Sequence, residues 1–154
     1  MSDFPARVAY GYDKTCVEEF TPSQVTAEQF IPGDLVIWDT GNNWVERGGT
    51  DPALFYGISE VDSEAARVLT ENGKVPIRQL TSGCVLAVSS ATTYVEATHR
   101  GVEYGLTRSA AGNWQLNVAK VTTDARVLVV DGDVGTNTWF VRPLAEFFDD
   151  GIDS

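Results

Sequence analysis

The 154-residue sequence predicts an all-β fold, a small antiparallel β-barrel or sandwich with an extended N-terminal arm. Three observations carry this. From Ile31 onward apolar and polar residues alternate in short runs, the period of strands with one buried face. The runs are separated by turn residues, among them Gly41-Asn42-Asn43 and Asn72-Gly73, which accept the positive φ of tight hairpins. Sustained helical periodicity is nearly absent.

The first thirty residues carry Pro5, Pro22 and the aromatics Phe4, Tyr10, Tyr12 and Phe20 without a regular period. Residues 1–29 therefore read as an arm, strapped over its own barrel or laid on a neighbour. Next, "DLVIW" (Asp34–Trp38) and "WVER" (Trp44–Arg47) flank a polar turn and form a hairpin, with Gly33-Asp34 as the turn leading in. "FYGIS" (Phe55–Ser59) is a further strand. In "ARVLTENGKVPIRQL" (Ala65–Leu80), Asn72-Gly73 joins two β-prone arms as a second hairpin, preferred over a helical turn capped by Asp62 or Ser63. Pro76 cannot donate to a ladder, which places its arm at a sheet edge or beside a bulge.

Five more strands follow: "CVLAVSS" (Cys84–Ser90), "EYGLTR" (Glu103–Arg108), "WQLNVA" (Trp114–Ala119), "ARVLVVDG" (Ala125–Gly132) and "TWFVRP" (Thr138–Pro143). Ser109–Asn113 makes the hairpin connection between the second and third of these. Many short strands with such turns spell an antiparallel barrel or sandwich over residues 30–143. Residues 144–154 form an acidic tail with Phe147 and Phe148 at its start.

Composition narrows the function classes. At 43% hydrophobic and 21% charged residues the chain can bury a core large enough to offset chain entropy. Net charge is −11, and the eleven Lys and Arg are scattered singly, which disfavours nucleic-acid binding through clustered cations. No apolar run reaches the roughly 18 residues of a membrane span, and the start lacks the basic-then-apolar profile of a signal peptide. Neither a membrane partner nor secretion is expected.

Cys16, Cys84 and the lone His99 have no zinc spacing, so buried thiols are expected, with a single disulfide left open. "IPGDLVIW" resembles a fragment of papain-like cell-wall peptidases, but Cys16 stands beside two acids and the expected histidine segment is missing. "DGDVGTN" (Asp131–Asn137) starts like a calcium loop, yet Gly135, Thr136 and Arg142 occupy its fifth, sixth and twelfth places. A polar inter-strand turn explains it better. His99, between Glu96 and Glu103, reads as a solvated loop histidine without a nucleophile nearby. Trp38, Trp44, Trp114 and Trp139 fall inside strands and read mainly as core, with sugar stacking as the alternative for an exposed pair such as Trp38 and Trp44. No catalytic residue, metal site or cofactor is expected.

The order of parts carries a further signal. An arm ending "FTPSQVTAEQF", then "PGDLVIWDTGNNWVERGGTDPALFYGISEVDSEAARVL", "NGKVPIRQL" and "CVLAVSS" resembles the head decoration (cement) and related virion structural proteins of tailed bacteriophages, over roughly Ala6 to Val141. The resemblance implies a β-barrel or β-tulip domain bound to the outer face of the capsid, often as a homotrimer. Its partner would be the major capsid protein, its place the virion exterior after assembly in the host cytoplasm, and it transfers no catalytic residues. Phe4, Tyr10, Tyr12, Phe20, Phe147 and Phe148 are the candidate contacts with capsid or sister chain. The alternative is a carbohydrate-binding β-sandwich module of a phage or cell-surface protein.

Overall fold

A computed structural model describes residues 3–10, 17–20, 28–39, 44–47, 56–60, 67–69, 75–80 and 83–144. Within them the strands, in chain order, are β1 (Arg7–Tyr10), β2 (Val17–Phe20), β3 (Glu28–Phe30), β4 (Leu35–Asp39), β5 (Trp44–Arg47), β6 (Gly57–Ser59), β7 (Arg67–Leu69), β8 (Val75–Gln79), β9 (Val85–Ser90), β10 (Glu103–Arg108), β11 (Trp114–Asn117), β12 (Val127–Asp133) and β13 (Thr138–Pro143). A single helical turn, α1 (Glu96–His99), and a 3₁₀ turn at Thr122–Asp124 complete the described elements. The fold is all-β, as the alternation predicts.

Five strands close into a small barrel in the order β9-β11-β10-β12-β13, with β13 returning to β9. Closure depends on β9. One of its edges pairs with β13 (Trp139↔Val88, Phe140↔Ala87, Val141↔Leu86). Pairings at 89–90 and at 85–87 account for its other edge: parallel β11 takes the former (Gln115↔Ser89, Leu116↔Ser90) and antiparallel β1 the latter (Arg7↔Ala87, Val8↔Leu86, Tyr10↔Val85). The barrel is filled by Leu86, Val88, Leu106, Leu116, Val127, Val129 and Val141 with the rings of Trp114 and Trp139, all buried. Inward residues of several strands thus meet in one core, which is what alternation along a closed sheet produces.

The second layer is a five-stranded sheet, β2-β8-β6-β4-β5, accompanied by a two-stranded β3–β7 ribbon. Leu35 pairs across from Ile58 and Val36 from Gly57, so successive residues present opposite faces. Leu35 and Ile58 join the barrel core. Val36, Val45, Val75 and Ile77 instead form a second cluster with Tyr56 and with Phe30 of the ribbon. At β4 and β6 the sheet is therefore buried on both faces.

Two hairpins form where the turn residues place them: β4–β5, with Asp39↔Trp44 closing the ladder, and β10–β11, with Arg108↔Trp114. The expected hairpin across Asn72-Gly73 is corrected by the structure. Its two arms are strands, but β7 pairs with β3, while β8 lies between β2 and β6. A strand has two edges, and both of β8's are taken. Pro76 likewise lies in an interior strand and not at an edge. It tolerates this because β6 ends at Ser59, and the Pro76 carbonyl accepts the Glu60 N–H at 2.8 Å. The N–H that proline lacks would point to that same side, past the end of the β6 ladder.

Within the stretch read as an arm, β1, β2 and β3 are paired strands, and Ala6 and Val8 are buried in the barrel core. Strands of three or four residues hold too few alternations to show a period.

Candidate functional site

The stretch Ile31–Asp34 sits at the seam between barrel and sheet. Pro32 and Gly33 occupy the central positions of a type II turn: Gly33 has φ +77°, and the Asp34 N–H donates to the Ile31 carbonyl at 3.2 Å. The Asp34 carboxylate, wholly buried, turns back to accept the Ile31 N–H at 2.9 Å. Gly33 and Asp34 also bind Ser59 through backbone bonds of 2.9 and 2.8 Å, which fixes the turn to β6. From the barrel, Arg108 Nη2 approaches Asp34 Oδ1 to 3.7 Å, and its guanidinium stands 5.0 Å from the Trp114 ring centre. A buried carboxylate without such partners would be costly, so the turn and the barrel are held in fixed relation.

Across this turn runs the N-terminal segment. A Cβ on Gly33 would stand 2.5 Å from the Ala6 carbonyl oxygen and 2.8 Å from the Ala6 nitrogen. Only glycine allows that backbone crossing. Asp3 Oδ1 accepts from Asn113 Nδ2 at 3.0 Å, tying the start of the segment to the β10–β11 turn. Beside the crossing lies a cleft of about 260 Å³ walled by Pro5–Arg7, Pro32, Gly33 and Ile58–Glu60. Its charges are engaged: the Arg7 guanidinium lies 4.7 Å from the Phe4 ring centre, and Arg78 Nε donates to Glu60 Oε1 at 2.6 Å. Glu60 is thus balanced by Arg78, while Arg7 keeps its positive charge beside the cleft.

His99 departs from expectation. It is buried in α1, not solvated, with its ring 4.8 Å from that of Trp139 and 6.1 and 6.2 Å from those of Tyr94 and Tyr104. Its Nδ1 accepts the Val95 N–H at 2.9 Å, so the neutral ring carries its proton on Nε2. The imidazole closes a turn and packs a core. Glu96 is exposed and pairs with Arg100, at 2.8 Å.

Of the Asp131–Asn137 stretch, Asp131–Asp133 is the paired end of β12 and Val134–Asn137 the inter-strand turn into β13. Asp133 Oδ1 accepts from the Gly135 and Thr136 amides at 2.8 and 3.2 Å, and Asp131 Oδ1 from Gly132 at 2.8 Å. These carboxylates cap their own backbone. Asn137, with φ +51°, is buried and clamps the chain after β9: its Oδ1 accepts the Tyr94 N–H at 2.8 Å, and its Nδ2 donates to the Ser90 and Thr92 carbonyls at 3.2 and 3.1 Å. The Tyr94 ring then lies flat on Gly132, where a Cβ would come within 2.5 Å of it. Burial, and secondarily the charges of Asp131 and Glu96, push the Tyr94 phenol above its ordinary range. Its hydroxyl is buried without a hydrogen-bond partner, as are the indole N–H groups of Trp114 and Trp139.

Trp114 and Trp139 are thus core residues. Trp38 stands opposite Val45 and Trp44 opposite Asp39, so the two are not cross-strand partners. Of the candidate contact residues, Phe4 is half-buried against Arg7, Tyr10 pairs with Val85, and Phe20 with Val75. Tyr12, Phe147, Phe148 and Cys16 lie outside the described residues; Cys84 is buried. Among the described residues, no group of three or more His, Cys, Asp or Glu is placed to hold a metal ion. None of the described helices is long and apolar enough to cross a membrane.

No protein-family model, curated protein or solved structure matches this chain. Two functionally suggestive groups escaped sequence reading, the Asp34–Arg108 contact and the Asn137 clamp. Both join residues more than forty positions apart or reach across strands, and neither leaves a local motif. The single available hint was Asn at the end of a Gly-Thr turn, a residue type that tolerates positive φ.

Proposed function

We propose that this chain is a non-enzymatic structural protein of a virion, a head decoration (cement) protein that binds the outer face of the capsid and adds interface across subunit seams. Its partners in this reading are the major capsid protein and further copies of itself, as a homotrimer. The observation that carries the proposal is where the segments bearing the resemblance fall. Gly33–Val36, Gly57–Ser59 and Val75–Arg78, with twenty and fifteen residues between them, come together at the neighbouring strands β4, β6 and β8. The shared order of parts therefore corresponds to one contiguous piece of sheet.

Physical chemistry supports such a role. An interface that exists only in the assembled lattice stabilises that lattice, by the same mass action that lets a ligand stabilise a fold. Modest contacts repeated over a shell add through multivalency. A net charge of −11 keeps the chain from adhering to nucleic acid.

The test is direct. Purified protein added to expanded heads should co-sediment with them saturably, and heads lacking it should break at lower temperature or under milder osmotic shock. Equal survival with and without the protein would remove the cement role. Saturable glycan binding abolished by Trp38→Ala or Trp44→Ala would put the carbohydrate-binding module in its place.

A further inference from the structure

The barrel ring is complete without β1. Each of β10, β11, β12 and β13 has two neighbours within the ring, and β9 is joined on both edges by β13 and β11. β1 is a sixth strand laid on the part of β9 that β11 leaves uncovered, at 85–87. It has a single strand neighbour in that sheet.

The slot that receives it is built entirely by other parts of the chain. β9 supplies the backbone ladder; Leu35, Ile58, Leu80 and Leu86 belong to the apolar cluster that Ala6 and Val8 complete. Gly33 supplies the floor at the crossing, and Asn113 fixes Asp3 at the outer end. Every one of these contacts is made by residues 3–10 alone. None depends on which chain continues beyond Tyr10, and six residues separate Tyr10 from Val17 at the start of β2.

We propose that this slot is a receptor for the N-terminal strand of a second copy of the chain, so that neighbouring protomers interlock by exchanging residues 3–10. The inference rests on the oligomeric reading above and names its joint. Exchange replaces each intrachain contact by an identical one between chains, so it requires no new complementary surface. On a shell crowded with copies, the high effective concentration of donor strands favours it. The strand then holds protomers together through the same buried Ala6 and Val8 that complete the barrel core within one chain.

The experiment mixes two full-length variants, Asp3→Cys and Asn113→Cys, each also carrying Cys16→Ser. After co-refolding over a range of concentrations, a short bismaleimide is added and products are separated by mass. A cross-linked heterodimer that increases several-fold with concentration is expected. It should fall when Gly33→Ala, which narrows the slot, is introduced into both partners. The Asp3→Cys/Asn113→Cys double variant reports the same contact within one chain. A heterodimer no more abundant than that from Asp3→Cys mixed with Glu96→Cys, or one indifferent to Gly33→Ala, overturns the proposal; so does failure of the double variant to close in either way. Head binding by the unmodified chain is scored separately. Binding without exchange removes this inference and leaves the cement role standing, while exchange without head binding does the reverse.

Discussion

The crossing of Ala6 over Gly33 can be weighed by comparing two glycines. Gly33 and Gly101 have nearly the same backbone, φ +77° and +80°, so alanine at either bears the same conformational strain. That strain is about 1–2 kcal/mol, less roughly 0.4–1 kcal/mol returned by the stiffer unfolded chain. Their surroundings differ. A Cβ at Gly101 meets nothing within 4 Å, whereas at Gly33 it stands 2.5 Å from the Ala6 oxygen. Gly101→Ala should therefore cost about 1 kcal/mol. Gly33→Ala must in addition displace the N-terminal strand, at a cost limited by what releasing it forfeits, chiefly the burial of Val8, about 1.5–3 kcal/mol. The expected total is about 3 kcal/mol. Urea unfolding of the two variants measures the difference, and amide exchange at Val8 should accelerate in Gly33→Ala alone. Equal destabilisation by the two substitutions would refute the reasoning.

Other perturbations follow from the same geometry. Because the Tyr94 hydroxyl is buried without a partner, Tyr94→Phe should be neutral or stabilise by about 1 kcal/mol in thermal unfolding; a loss above 1 kcal/mol would show an unrecognised bond. The folded chain keeps the Tyr94 proton at pH values where the unfolded phenol, near 10.0, has lost it. Stability should thus be independent of this group below that pH and fall above it, by at most ~1.4 kcal/mol per pH unit, and Tyr94→Phe should remove that part of the alkaline slope. Asn137→Ala strands the Tyr94 N–H and the Ser90 and Thr92 carbonyls, and should cost about 3 kcal/mol by chemical denaturation. Asp34→Ala removes the cap on Ile31 and the carboxylate facing Arg108, for a loss of about 3 kcal/mol; Asp34→Asn, which can keep the cap, should lose clearly less. Matched losses for those two would locate the stability elsewhere.

How far the sequence could be read follows from the length scale of each signal. The β10–β11 hairpin and β13 were legible because alternation and turn residues act within a few positions, and β13 spans Thr138–Pro143 as expected. The 65–80 stretch misled for the same reason. Asn72-Gly73 between β-prone arms states a local preference, while pairing was decided by competition for the edges of β8 with the distant β2 and β6. His99 misled because its neighbours Glu96, Arg100 and Glu103 are exposed, and only the αL turn at Gly101 and the packing of Trp139 and Tyr104 bring its ring inside. For the candidate contact residues, sequence marked aromatic character without placing it, and among the described side chains Phe4 engages Arg7.

By itself, then, the sequence determined that this chain is built of short strands around an apolar core, and that Pro32-Gly33-Asp34 is a turn opening one of them. Periodicity and turn chemistry are properties of neighbouring residues and are written where they act. Tertiary structure alone decided that five of those strands close into a ring, that β1 sits outside it on a spare stretch of β9, and that Asp34 is buried toward Arg108. Those outcomes depend on which edges and which buried charges find partners once the chain is compact. No residue specifies its long-range partner until the competing partners have been placed.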